Sequence, residues 1–473
     1  MEAMDRLASR REAALEDLVA FLAIPSVSSV PAHREDVRRA AAWLAERLER
    51  AGLEGVRVHP TAGHPVVTAR SAPVPGAPTV LVYGHYDVQP ADPPDAWTHP
   101  PFSPRVADGR VYARGASDDK GQVLMHVLAA EALAATGGIP LNLRFLFEGE
   151  EESGSVHLHD FVAAHREELA ADAVVVSDTP MFAAGVPAIC YGLRGLAALD
   201  VTVRGPAQDL HSGVFGGAVA NPVHELARLL AALHDADGRV AVPGFYDGVR
   251  EPTPAERAEW ARLPFDEAEF LRTTGSPRLF GEPGYSTLER VWARPTLEVN
   301  GIAGGFAGDG RKTIVPASAT AKITCRLVPD QDPVAVVDAV VRFLEARAPD
   351  TVRLEIVRHE ADPGVLTPLD HPVVAAARRA LAATFGREPV NIRMGGSIPV
   401  VHTFQSVLGA PTVLVGFSLP DERFHAPNEF FTLDNFYRGT EALVRLWLAL
   451  AGRDGAGAAD GGAPRGGEKE HTP

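Results

Sequence analysis

The sequence predicts an α/β protein, a sheet flanked by helices, interrupted by a smaller inserted α+β domain. Three observations predict it. Apolar runs at 78–83, 141–147 and 173–177 alternate with helical patterns at 120–136 and 156–168, the rhythm of sheet strands joined by crossover helices. From residue 197 the texture changes to strands of alternating polarity, "AALDVTVRG" and, at 319–329, "ATAKITCRLVP", with helices at 221–235 and 333–347. That pattern suits a half-exposed sheet covered by helices on one face. Strand–helix character like that of the first part then returns at 371–451.

The remaining elements follow in order. Amphipathic helices are expected at 3–23 and 34–51, and short strands at 55–59 and 65–70. The segment 90–109 is too rich in proline for a helix or central strand and is expected to be a surface loop. A chain of 473 residues is too long for one ordinary core. The expected division is one discontinuous domain, 1–193 with 366–451, and a second domain inserted at 194–365. The tail 452–473 is low in complexity and expected to be disordered.

Composition excludes several function classes. A hydrophobic fraction of 46% with 22% charged residues describes a soluble globular protein, and a net charge of −16 argues against nucleic acid or an anionic membrane as partner. No apolar run reaches the roughly 18 residues that a membrane span needs. The N-terminus lacks the pattern of a signal peptide, so a cytoplasmic protein is expected. Cys190 and Cys325 cannot form a disulfide framework and read as buried fillers.

Chemistry gathers at strand ends. His85 and Asp87 follow the apolar run "TVLVYG", where open α/β sheets place their ligand sites. An isolated His-x-Asp is more often a loop cap beside a turn, but an Asp so near a ligating His can also fix its tautomer. Asp118 and Asp119 stand side by side before a helix, where one acid suffices for a cap. Glu150, Glu151 and Glu152 follow the strand "LNLRFLF", and Asp178 follows "AVVVS". A solvated charge run is the ordinary explanation for such acids. Like charges at the tip of a buried strand are costly, however, unless cations gather there. His425, in the late loop "LPDERFHAPNE", adds a second histidine. Two histidines and several carboxylates at one sheet edge fit two metal ions sharing a carboxylate better than one closed structural site.

The ordered motifs "GHYDVQP", "ARGASDDKGQ", "EGEEESGS", "VVVSDT", "DLHSGVFGG", "CRLVP", "GGSIPV" and "RFHAPNE" resemble those of the carnosinase-type dipeptidases. These belong to the dinuclear zinc hydrolase family that includes aminoacylase, carboxypeptidase G and succinyl-diaminopimelate desuccinylase. The resemblance covers roughly residues 15–450. It implies a zinc-peptidase-like catalytic domain, with the insertion serving as a dimerisation or lid domain of a homodimer. It implies that His85 and Asp178 bind one divalent ion and Glu152 and His425 the other, with Asp118 bridging both. Zinc is expected, with manganese or cobalt as alternatives that carboxylate-rich sites also accept. Asp119 is then a neighbour of the ligands, Asp87 orients His85, and a cis peptide is expected between Asp118 and Asp119. Glu151 is implied as general base toward a water bridging the ions. His211 is implied to stabilise the oxyanion from across the dimer interface. Thr313, Arg326 and Ser397 are implied to hold substrate, Arg326 suiting a terminal carboxylate. Glu150 departs from the pattern, since many relatives carry an apolar residue there.

The activity so implied is hydrolysis of dipeptides with a free C-terminal carboxylate. An N-acyl-amino-acid amidohydrolase using the same metals and a non-catalytic metal-binding homologue are the alternatives. Other features carry no chemistry. His59, His64, His99, His157, His159 and His165 are expected on the surface. His224-Glu225 begins no His-Glu-x-x-His zinc motif. The Gly-rich stretch 301–310 lacks the lysine of a phosphate loop and is expected to be a substrate-side loop. Ser153 and Ser212 have no nucleophile-elbow setting.

Overall fold

The computed structural model describes residues 2–453, so nearly all of the tail expected to be disordered lies outside the described residues. The chain forms two compact units. The first takes the chain as far as Ile189, the segment Leu369–Val390 and the chain from Phe404 onward. The second takes Cys190–Pro368 together with Asn391–Thr403.

In the first unit the strands lie in the order Glu54–His59, Val66–Arg70, Asn142–Glu148, Thr79–His85, Ala173–Val176 and Thr412–Leu414. The last four run parallel, whereas the first two are antiparallel additions at one edge. The sheet is therefore mixed. Its central strands are almost fully buried, which is why they read as continuous apolar runs. Helix Lys120–Ala134 is mostly apolar, has no distinct polar face and is buried along nearly its whole length. It packs against Leu433–Leu450, which in turn packs against Pro372–Phe385. Because the central strands are parallel, all their C-terminal ends open on one edge, and Thr79–His85 aligns His85 with Glu148 of its neighbour.

The second unit contains a four-stranded antiparallel sheet in the order Thr296–Gly304, Ser318–Leu327, Gly195–Arg204 and Arg353–Asp362. Burial along Gly195–Arg204 and Ser318–Leu327 alternates residue by residue. Helices Pro222–Ala231 and Pro333–Glu345 pack against this sheet and join its apolar face in one core. Each helix starts where a side chain, Asn221 or Asp332, accepts from free backbone N–H groups. The Pro- and Glu-rich region adds three short helices, two of them opened by capping boxes, Thr253 with Glu256 and Ser286 with Glu289.

Several local expectations need correction. The first helix is two, Glu2–Ser9 and Arg11–Leu22. The supposed loop 90–109 contains a strand, Arg105–Ala107, paired with Arg110–Tyr112 across Asp108 and Gly109. Both turn residues have positive φ, 52° and 73°, which is what a tight hairpin requires of an Asp-Gly pair. Residues 301–304 are no loop but the end of an edge strand. Gly304 permits that pairing, since a Cβ there would meet Ala319 at 2.7 Å. His64 is buried rather than on the surface, its Nε2 3.0 Å from the carbonyl of Ser28.

Candidate metal centre

The parallel strand tips of the first unit bring two triads together: His85 with Asp118 and Asp178, and Asp118 with Glu152 and His425. Within each, one ligand atom per residue lies within 4.8 Å of the others. Asp118 belongs to both. Its Oδ1 is 3.1 Å from His85 Nε2, and its Oδ2 is 2.9 Å from His425 Nε2. His85 Nε2 lies 3.8 Å from Asp178, and His425 Nε2 lies 3.2 Å from Glu152. Four bonds of about 2.0–2.2 Å in a tetrahedron place ligand atoms roughly 3.3–3.6 Å apart, so these spacings suit an ion at the centre of each triad. Imidazole nitrogens and carboxylate oxygens are also the donor types that zinc accepts.

Electrostatics point the same way. Burial raises Glu151, Glu152 and Asp178 above the usual carboxylate range, and the neighbouring acids add to the rise. Burial opposes ionisation of Asp118 too, yet hydrogen bonds to His425 and His85 outweigh it and hold this carboxyl low. His425 is pushed up to about 10, chiefly by its hydrogen bonds to Asp118 and Glu152. A cluster this acidic draws positive charge toward it from every available group, and divalent cations would supply it.

The residues around the triads set their geometry. His85 Nδ1 lies 3.1 Å from the backbone carbonyl of Asp87 and 3.4 Å from its carboxylate. That fully buried carboxylate accepts the backbone N–H groups of Glu151 at 3.2 Å and Glu152 at 3.1 Å. Asp87 therefore fixes the glutamate turn as well as standing beside His85. Glu151 is absent from both triads, whereas Glu152 is in one. The peptide between Asp118 and Asp119 is cis. Asp119 Oδ2 accepts the backbone N–H of His85 at 3.3 Å. Glu150 points elsewhere, its carboxylate 2.9 Å from His157 Nδ1.

Three contributors escaped the sequence reading. Glu429 is fully buried and accepts from the backbone N–H groups of Gly115 and Ser117 at 3.1 and 3.0 Å and from Arg114 at 2.7 Å. It ties the loop after His425 to the loop that presents Asp118. Gln89 donates to Glu152 Oε2 at 2.8 Å. Lys120 is fully buried and donates to the carbonyls of Ile24 and Phe21, and burial lowers it to about 7. Gly115 has φ +82°, and a Cβ there would meet Val88 at 2.4 Å, so this turn requires glycine.

The other expected site residues lie in the second unit and form two pairs. Leu210–His211 pairs with Ile314–Val315, and the N–H of Ser212 donates to the carbonyl of Thr313 at 3.0 Å. His211 is exposed, and its Nδ1 accepts from the N–H of Gly213 at 3.0 Å, so the neutral ring carries its proton on Nε2. Arg326 donates to Ser397 Oγ at 3.0 Å, and Ser397 donates to the carbonyl of Arg194 at 2.6 Å.

A parallel-sheet edge carrying two triads with one shared carboxylate defines a class, the metal-dependent hydrolases. The chain belongs to Peptidase family M20/M25/M40, whose model matches residues 81–449. It is 33% identical to the Cys-Gly metallodipeptidase DUG1 of Candida albicans over 91% of this chain and 93% of that one. It is 33% identical to the Beta-Ala-His dipeptidase of Homo sapiens over 90% of this chain and 87% of that one. Among solved structures, an M20 family metallo-carboxypeptidase from Sulfolobus solfataricus superposes with a TM-score of 0.85 at 34% identity, covering 93% of this chain and 99% of that one. No described helix is long and apolar enough to cross a membrane.

Proposed function

We propose that this chain is a dinuclear metal-dependent dipeptidase acting on dipeptides with a free C-terminal carboxylate. The observation that carries the reading is the division of Asp118 between two histidines, each in its own triad. His85 and Asp178 would hold one ion, Glu152 and His425 the other, and Asp118 both. Two bound cations supply polarisation of the scissile carbonyl and acidification of water. Zinc fits the donor set, and manganese or cobalt fit the many carboxylates.

The chain's own residues do the rest. Glu151, buried beside the ligands but outside both triads, takes a proton from the attacking water and returns it to the leaving amine. Asp87 keeps Glu151 and Glu152 in register by holding both backbone N–H groups. Arg326, aligned by Ser397, pairs with the substrate's terminal carboxylate, and Thr313 lines the same substrate. His211 donates from Nε2 to the developing oxyanion of a partner subunit in a homodimer built through the second unit. Two buried, unpaired cysteines fit a reducing cytoplasm. Relatives named as dipeptidases support this substrate class over N-acyl-amino acids.

A panel of dipeptides and matching N-acetyl-amino acids, each with zinc, manganese or cobalt, tests the reading. Dipeptide turnover is expected. Turnover of the acetylated compounds alone would make the chain a deacylase, and no turnover of either would make it a non-catalytic homologue.

A further inference from the structure

The hairpin Arg105–Ala107/Arg110–Tyr112 and the loop ahead of Phe430 line an open surface hollow of about 350 Å³. Three arginines line it: Arg105, Arg110 and Arg423. Arg105 Nη1 lies 2.5 Å from His99 Nε2, and the Arg110 guanidinium sits 4.3 Å from the centre of the Phe430 ring. Asp108, at the hairpin turn, is the single acid among the lining residues. Among the described residues, no ion pair ties any of these three arginines to a carboxylate. Some exposed arginines elsewhere do have carboxylate partners. Arg204 pairs with Glu355, Arg250 with Asp330 and Arg358 with Asp338.

On a chain of net charge −16, three guanidiniums lining one hollow gather positive charge locally, with Asp421 and Glu422 attracting Arg110 from beyond ion-pair distance. Guanidinium forks match tetrahedral oxyanions with several acceptor oxygens, and the Tyr112 and Phe430 rings offer a wall for an apolar body. We propose that this pocket binds a small phosphate-class anion, inorganic phosphate or a phosphate monoester.

The pocket is separate from the metal centre, since neither triad contributes a lining residue. It nevertheless shares a loop with it. Arg423 and Asn428 flank His425, and Asn428 is anchored by the N–H of Thr98 at 2.7 Å and the carbonyl of Ala96 at 3.1 Å. An anion held by Arg423 thus engages the loop that carries one proposed ligand.

Calorimetric titration of the metal-loaded protein with inorganic phosphate tests the proposal, using Arg105→Ala/Arg423→Ala and His85→Ala for comparison. The arginines changed are exposed, and matching thermal melts verify folding. The expected result is a binding event in the wild type that survives His85→Ala and weakens at least about tenfold in the double arginine variant. Arg105→Lys/Arg423→Lys should recover part of the affinity by restoring charge. Equal binding by wild type and the double alanine variant, loss of all binding in His85→Ala, or no binding to the wild type would each overturn it.

Discussion

Asp118 turns one carboxylate oxygen toward each of two histidines, Oδ1 to His85 Nε2 at 3.1 Å and Oδ2 to His425 Nε2 at 2.9 Å. Two oxygens with two different partners are what a bridge requires and a helix cap does not. Asp118→Asn keeps the shape but has only one oxygen. The variant should retain fewer than two metal ions per chain by elemental analysis, with activity reduced by at least about 1,000-fold, since the metals supply both polarisation and the nucleophile.

Glu151 and Glu152 are neighbours with separate expected fates. Glu151→Gln should keep both ions and lose about 10³–10⁵-fold in turnover, somewhat beyond a single acid–base step because one group serves twice. Glu152→Gln should lose metal first. Metal analysis beside single-turnover rates checks both, and an empty site in Glu151→Gln would exchange the two roles.

Glu429 gives a stability prediction. Its pair with Arg114 is buried on both sides, and burial raises the Glu429 carboxyl to about 7 despite that cation. Removing one partner of a buried pair costs about 3–5 kcal/mol. Glu429→Ala should therefore lower the Tm and, by freeing the Asp118 loop, also weaken metal retention. A variant with unchanged Tm would mean that the loop is held by other contacts.

The sequence made the strand tips legible because buried parallel strands are continuous apolar runs that end abruptly in charge. His85, Asp178 and the Glu150–Glu152 run could be placed on one edge for that reason. Asp87 was legible as a neighbour of His85, but its hold on two backbone N–H groups depends on how adjacent tips approach, which no local pattern encodes. Glu429 was invisible for a similar reason, as its partners lie more than 300 positions away in the chain. The hairpin at Asp108-Gly109 carried an available signal, the Asp-Gly pair, which the surrounding prolines masked.

His126 predicts a pH dependence. The ring is buried, its Nε2 2.8 Å from Ser177 Oγ, and burial lowers it to about 3. The unfolded value is about 6.5, so the folded value is depressed. The stability that the neutral ring contributes is present above about pH 6.5 and is lost as pH falls toward 3. In EDTA, urea midpoints should fall more steeply between pH 6.5 and 4 for wild type than for His126→Gln. Parallel curves would contradict this.

The central claim is two ions joined by one carboxylate, and anomalous scattering from a crystal of the zinc-loaded protein measures it directly. The account predicts two peaks about 3.5–4 Å apart, with Asp118 reaching both, His85 and Asp178 on one ion, and Glu152 and His425 on the other. A single peak, or two peaks that do not share Asp118, would contradict it.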